Sequence, residues 1–435
     1  MRNFIASVVI ASVCFSVSGQ SIDKTITIKE VSRIEKILSA NDMQGRRTFT
    51  PGIDKASAFI ESEFKSTGLH PLAGLSNFRQ EFEMTTSENN STKIIIDGKE
   101  IDNNQIVSFS YLSKVSLTEK NDIKVVKINK GDHFGKKFNE YYSNSTQNYL
   151  VLIDDSFKNI LPRIQHIEKI TTNPGENSVV FVFGAQEATT FSIDLTNTIA
   201  KKTLNNVVGV LPGKSKPNEY VIFSAHHDHL GTGAPEEGMP HPTNDSIYNG
   251  ANDDAAGCTA VIMLANYFKK LNNNERTIIF TTFTAEELGG FGSKFFSKQL
   301  PPDQVIAMFN LEMIGTESKW GKNSAYITGF EKSNFGQILQ KNLEKTNFKF
   351  YPDPYPDQQL FYRSDNATLA KLGVPAHTIS TSKMDSEKNY HTADDEFETL
   401  DIPNMTEIIK AIALSSSTII SGKDTPNRVD TTLLR

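Results

Sequence analysis

The sequence predicts an α/β fold: a mostly parallel, mixed sheet sandwiched by helices, with an inserted β-rich accessory domain. Three observations predict it. From about residue 205 onward, short apolar strands alternate with helical segments, as in a sheet covered on both faces. Residues 28–69 carry apolar positions at helical spacing. Between about 95 and 195 the texture changes to strand-like runs and turns. The expected organisation is a leader over 1–19, an N-terminal part of the main α/β domain over 20–94, the insert over 95–200, and the body of that main domain over 201–435.

The first twenty residues, "MRNFIASVVIASVCFSVSGQ", read as an export signal. Arg2 precedes an apolar stretch from Phe4 to about Val17, and small residues Ser18 and Gly19 follow. The stretch is too short to span a membrane. The expected location of the mature chain is periplasmic or extracellular. "EVSRIEKILSA" and "KASAFIESEFKSTGL" then read as helices, with Gly68 ending the second. "NDMQGRRTFTPG" between them reads as a loop.

In the insert, "TKIIIDGKEI" reads as a hairpin about Asp97-Gly98, and "DIKVVKI", "NYLVLI" and "NSVVFVFGA" as strands. Beyond it, "NNVVGVLPG" and "EYVIFSA" are strands joined by a Pro-Gly turn. "AGCTAVIMLANYFKKL" is a helix, "RTIIFTTFTA" a strand, "GSKFFSKQL" a helix and "VIAMFNLEMIG" a strand. A helix near 335–345, the helix "SDNATLAKLG", the strand "VPAHTIS" and a final helix near 403–420 complete the pattern. The polar tail after Ser421 is expected to be loose.

Composition narrows the function. The 435 residues allow two or three domains and a large core, and 38% hydrophobic with 22% charged residues suits a soluble globular chain. Net charge is −6 and no basic run is present, which argues against nucleic acid or an anionic membrane as a partner. Past the leader only Cys258 remains, so no intrachain disulfide can form and a thiolate zinc site is excluded. Any metal must be held by His, Asp and Glu.

Such residues gather in five places. "HHDH", with three of the chain's nine histidines, follows "EYVIFSA". "TAEELGG" follows a strand and carries Glu286 and Glu287. Glu312 ends "VIAMFNLEM", and His391 lies in "NYHTADDE" beyond "VPAHTIS". "NGANDDAAGC" opens the helix after the first of these strands. Each alone has an ordinary explanation, such as a solvated helix start or a capped turn. Together they converge on the rim where strands of one sheet end. Carboxylates gathered there repel unless cations neutralise them, and imidazole with carboxylate suits zinc in a hydrolytic site. One carboxylate shared between two ions gives the two-metal hydrolase arrangement.

The order "HxD … GANDDAAG … EE … NLEM … YHTADD" resembles the secreted di-zinc aminopeptidases, metallopeptidase family twenty-eight, whose relatives include glutamate carboxypeptidase and glutaminyl cyclase. The resemblance covers about 200–402 and the segment "NDMQGRRTFTPG…AFIESEFKSTGLHPL". It implies a zinc-exopeptidase-like fold and two Zn²⁺ per chain. It implies His226 as a metal ligand with Asp228 as the carboxylate orienting it, Asp253 as the bridging ligand, and a cis bond between Asp253 and Asp254. Glu286 matches the general base, Glu287 its neighbouring ligand and His391 the distal ligand. One ion then lies among Asp253, Glu287 and His391, the other among His226, Asp253 and Glu312. No family role carries over to His227 or His229, although His229 can line the cleft.

Two positions depart from the family. Glu312 stands where Asp is usual; one methylene longer, it leaves the second ion placed differently, held more weakly or of another kind. Asn366 stands where many members have His. Tyr362, Arg363 and Asp365 are candidate substrate-binding residues in the same segment. The expected function is an exported zinc metallopeptidase that removes N-terminal residues from peptides, with Glu286 taking the proton of a water activated by two metals. Alternatives are a carboxypeptidase or glutaminyl-cyclase-like activity on the same fold, and a catalytically silent binding module. Stable membrane insertion is not expected, and the sequence leaves the oligomeric state open.

Overall fold

A computed structural model describes residues 22–434 except 143–145, 166 and 234–244; the leader over 1–19 lies outside the described residues. The chain divides into two compact units. One is built from residues up to Glu81 and from Asn205 onward, the other from Phe82–Leu204. No helix among the described residues is long and apolar enough to cross a membrane.

The first unit begins with two helices. α1 (Ile28–Leu38) starts at Thr27, whose hydroxyl accepts the Glu30 N–H, and buries Val31, Ile34 and Leu38 on one face. α2 (Pro51–Thr67) has proline in its first turn and ends at Gly68, whose φ of 76° needs no Cβ to be accommodated. The link between them is not a plain loop. Residues 41–46 form a tight turn with left-handed backbone at Gln44, Gly45 and Arg46.

The central sheet of this unit comprises β1 (Phe191–Leu211, through its last residues), β2 (Lys216–His226), β3 (Arg276–Phe283), β4 (Val305–Leu311), β5 (Ser324–Ile327), β6 (Lys349–Pro352) and β7 (Ala376–Ser380). Their spatial order is β6-β5-β7-β4-β2-β3-β1. The four inner strands β3, β2, β4 and β7 are mutually parallel; β1 and β5 run against their inner neighbours. β1 and β2, consecutive in sequence, do not pair, because β3 inserts between them. From β2 the chain turns one way to β3 and then crosses over to β4 on the other side. The crevice at the carboxyl end of β2 therefore sits at a switch in strand order, where such sheets bind ligands.

Alternate residues of the inner strands feed two cores, which is why these strands read as unbroken apolar runs. Val221, Phe223, Ile278 and Phe280 pack with α1, α2, α3 (Ala256–Leu271) and α7 (Ile402–Ser415). Ile222, Ile279 and Met308 pack on the opposite face with Phe296 of α4 (Phe291–Ser297) and Leu369 of α6 (Asn366–Ala370). α5 (Phe335–Asn342) adds Phe335 and Leu339 to the first core. Gly257, in the first turn of α3, allows the helix to approach β4: a Cβ there would lie 2.3 Å from the Leu311 carbonyl oxygen.

The second unit spans 82–204, where sequence texture placed 95–200. The difference has a simple cause. Arg79–Ile96 and Phe191–Leu211 are unbroken strands, so no glycine or proline marks the boundary. Asp97 and Gly98, both at positive φ, close the expected hairpin, with Ile96 opposite Lys99. The unit holds a four-stranded sheet in which 123–128, 148–153 and 179–183 are parallel and 106–109 runs antiparallel at one edge. The expected β-rich texture also conceals a helix, Phe134–Tyr142, whose Phe138 stacks on Phe181 at 4.8 Å.

The tail after Ser421 is ordered against the first unit, not loose. Arg276, 2% exposed, donates to the carbonyls of Ile419 and Asp424, and Arg428 donates to the Val305 carbonyl at 2.8 Å. Its polar composition hid this, because the contacts are main-chain carbonyls taken up by arginines.

Candidate metal centre

Parallel neighbours place their carboxyl ends on one rim, and the chemistry sits there. β2 ends at His226, β3 runs into the turn with Glu286 and Glu287, β4 runs into Glu312, and the loop beyond β7 carries His391. Asp253 comes from an irregular turn over 251–255 that leads into α3. The Asp253–Asp254 peptide is cis, as the family resemblance implies. Ala285, Met313 and His391 have φ of 57°, 52° and 56°. Left-handed backbone is uncommon in residues with a Cβ, and here it falls at or beside groups that must be aimed inward.

The expected ligands meet. Asp253 is central: its Oδ1 lies 3.1 Å from His226 Nε2 and its Oδ2 lies 3.3 Å from His391 Nε2. His391 Nε2 is also 3.2 Å from Glu287 Oε2. His226, Asp253 and Glu312 form one group able to hold an ion, with ligand atoms within 4.8 Å of each other. His229, Asp253 and Glu287 form a second such group, next to His391. His229 was expected at most to line the cleft; instead its buried Nδ1 is 2.8 Å from Glu287 Oε1. His227 points away, is fully buried against the Ser57 hydroxyl at 3.0 Å, and is pushed down to about 3 by burial and by Arg46, so it stays neutral.

Asp228 acts on different partners from those the resemblance implies. His226 Nδ1 is 3.0 Å from the Asp228 carbonyl oxygen, whereas the Asp228 carboxylate is 3.8 Å away from it. That carboxylate instead accepts the N–H groups of Glu286 at 3.0 Å and Glu287 at 3.3 Å. The reason is the adjacency of β2 and β3, which brings the turn after β3 within reach. The main-chain contact at His226 has a chemical consequence. A carbonyl only accepts, so Nδ1 carries the proton and Nε2 is the nitrogen offered to the site.

The electrostatics fit a cation. His226 Nε2 is buried with no hydrogen-bond partner of proper geometry. Among the described residues, no Lys or Arg forms an ion pair with Asp253, Glu286, Glu287, Glu312 or Asp365. Burial first, and then Glu312 and Asp365 nearby, raise Glu286 well above the usual carboxylate range. Burial raises Glu312 to about 7. Burial works against charge on Glu287 and His391 too. The histidines nevertheless hold Glu287 at about 2, and Glu287 with Asp253 lifts His391 to about 10. Metal-free, the cluster can neutralise itself only by taking up protons; the donor set of imidazoles and carboxylates suits zinc.

Glu312 is held from behind. Its Oε2 accepts from the Ser364 hydroxyl and lies 3.4 Å from Asn310 Nδ2, and Asn310 in turn bonds Ser224 and Thr378. Of the three candidate substrate residues, Arg363 lines a cavity of about 420 Å³, open mouth included, next to Glu312; Met313, Tyr326, Ser380 and Tyr390 also line it. Asp365 is 2% exposed, and burial raises it to about 7. Tyr362 is not part of this cavity; it packs edge-on against Phe361 at 5.2 Å. Asn366 is structural: its amide donates to the Phe361 and Ala376 carbonyls and accepts from Thr378.

Comparison with known proteins agrees with this fold. Residues 206–415 match the family described as peptidase family M28. A probable leucine aminopeptidase of Trichophyton verrucosum is 28% identical over 214 residues, 47% of this chain and 54% of that protein. The chain thus spans about half the length of the curated relatives it matches. Among solved structures, an aminopeptidase from Aneurinibacillus sp. strain AM-1 shares the fold with a TM-score of 0.56 at 17% identity, covering 95% of this chain and 97% of that one. BSAP, a zinc aminopeptidase from Bacillus subtilis, gives 0.55 at 15% identity, covering 92% and 97%. The rim of His, Asp and Glu side chains lies inside the segment that matches peptidase family M28.

Proposed function

We propose that the protein is an exported zinc-dependent aminopeptidase that uses two metal ions. One observation carries the reading: the two oxygens of Asp253 face different histidines, Oδ1 toward His226 and Oδ2 toward His391. A carboxylate shared in this way is what a two-metal hydrolytic site requires. His226, Asp253 and Glu312 would hold one ion, and Asp253, Glu287 and His391 the other, with His229 beside Glu287. Zinc bound there supplies Lewis acidity toward the scissile carbonyl and the attacking water.

The remaining steps fall to the chain. Burial and its acidic neighbours make the Glu286 carboxylate a stronger base than an exposed one; in its ionised form it accepts a proton from the attacking water, becomes the neutral acid, and returns the proton to the leaving amine. Asp228 holds the main chain of Glu286 and so sets the direction of that carboxylate. The substrate's free amine is drawn to the acidic rim, where Asp365 makes no ion pair among the described residues. The side chain of its first residue takes the cavity beside Glu312.

The test is to incubate the purified mature chain with a mixed peptide pool, with and without a chelator, and to weigh the products. Stepwise loss of N-terminal residues, stopped by chelator and restored by zinc, supports the reading. Loss from the C-terminus, or cyclisation of N-terminal Gln, rules out the aminopeptidase assignment in favour of a sister activity. Export rests on the leader reading and is checked by fractionating cells and sequencing the mature N-terminus; an uncleaved cytoplasmic chain overturns it.

A further inference from the structure

Arg46, in the turn between α1 and α2, is 1% exposed and makes no ion pair among the described residues. A buried guanidinium is costly unless every N–H finds an acceptor. Arg46 finds them all on the main chain. Nε donates to the His227 carbonyl at 3.0 Å, Nη1 to the carbonyls of Leu38 and Asn249, and Nη2 to those of Gly250 at 2.9 Å and Asp253 at 3.4 Å. Four of these five acceptors lie in the two segments that carry His226 and Asp253.

Asp395 grips the same turn from the other side. It is also 1% exposed. Its Oδ1 accepts the Asn252 N–H at 2.8 Å, its Oδ2 accepts the Asp253 N–H at 2.9 Å, and its carbonyl accepts the Ala251 N–H at 3.0 Å. Within 249–253 the carbonyls of Asn249, Gly250 and Asp253 thus go to a cation, and the amides of Asn252 and Asp253 to an anion. Asp253 alone has its carbonyl on Arg46 and its N–H on the Asp395 carboxylate. Asp395 lies four residues beyond His391, and the Arg46 grip on His227 falls one residue beyond His226, so the two residues tie Asp253 to both histidines it faces. The packing is close: a Cβ on Gly250, at φ 56°, would sit 2.2 Å from the Asp253 carbonyl oxygen and 2.5 Å from the His229 ring.

We propose that Arg46 and Asp395 are positioning residues, a two-sided clamp on the main chain of 249–253 that sets the reach of the Asp253 carboxylate to His226 and His391. Neither belongs to the groups of side chains able to hold an ion. The inference rests on the two-metal reading of Asp253. A buried arginine needed only for packing would spread its bonds over the core; this one places three of five on the turn that carries the shared ligand and a fourth beside His226, opposite a carboxylate that takes two of the turn's amides.

The test uses the full mature chain, stripped of metal and titrated with zinc against a chromogenic chelator, and with cobalt for its visible spectrum. The variants are Arg46→Lys, Asp395→Asn and, as a control, Phe268→Leu, which lies three turns along α3 from the site and removes only packing. Arg46→Lys and Asp395→Asn are expected to weaken zinc binding about 10–100-fold and to change the cobalt spectrum. Phe268→Leu is expected to lower the melting temperature without either effect. Folded Arg46→Lys and Asp395→Asn proteins that bind two ions with wild-type affinity and spectrum overturn the clamp; should the lysine variant not fold, Asp395→Asn decides alone. A wild-type chain that takes up no zinc overturns the metal reading itself, a distinguishable failure.

Discussion

The carboxylate of Asp228 accepts the main-chain N–H of Glu286 at 3.0 Å and that of Glu287 at 3.3 Å. A residue two positions beyond one metal-ligand candidate thereby holds the turn that carries the proposed base and another ligand candidate. The contact crosses from β2 to β3 and exists only because those strands are neighbours. Asp228→Asn replaces one oxygen with a donor that faces an N–H. Its kcat is expected to fall about 10–100-fold, with KM changed much less. Steady-state kinetics on an aminoacyl substrate decide this; an unchanged kcat removes Asp228 from the machinery.

Glu286→Gln keeps shape and hydrogen-bonding capacity but cannot take a proton. Zinc content is expected to match wild type while turnover drops about 10²–10⁴-fold. Metal analysis beside kinetics separates the two effects, and near-normal turnover would refute the base assignment.

Glu312 reaches the His226 side of the cluster and is steadied by Ser364 and Asn310. Glu312→Ala is expected to lower bound zinc from about two ions per chain to about one, since the group around Glu287 and His391 stays complete. Equilibrium dialysis gives the stoichiometry; two ions retained would place the second ion elsewhere.

His229 contacts Glu287 at 2.8 Å from within the core. Its replacement by Ala is expected to weaken zinc binding about 10–100-fold, as loss of a partner to a ligating carboxylate does. A competition titration in which the variant tracks wild type would reduce His229 to packing.

Glu35 is buried on α1, accepts the Thr259 hydroxyl at 2.7 Å, and is raised by burial from 4.5 to about 8. Between those values the folded chain holds a proton that the unfolded chain has lost, so stability falls as pH rises. The loss is about 1.4 kcal/mol for each pH unit in that window. Glu35→Gln is expected to flatten the decline of melting temperature between pH 5 and 8. Parallel wild-type and variant curves would show that Glu35 does not titrate there.

Periodicity and residue order determined much of this protein before any coordinates. The apolar runs of β2, β3 and β4 and the length of α3 follow from hydrophobic pattern, because strands buried on both faces are built mostly of apolar residues. Among the ligand candidates, His226, Glu287 and Glu312 stand out because they follow such runs at strand ends, whereas Asp253 and His391, which lie in loops, stand out through the order of motifs the resemblance rests on. His229 and Asp395 lay within the motifs "HHDH" and "YHTADDE" but carried no spacing that set them apart. Only the tertiary structure decided the rest. Strand order made β3 the neighbour of β2 and gave Asp228 its partners. The fold brought Arg46 and Asp395, 349 positions apart, onto one turn. Main-chain hydrogen bonds of that kind leave no mark in a sequence, since every residue offers the same amide and carbonyl and only packing determines which of them meet.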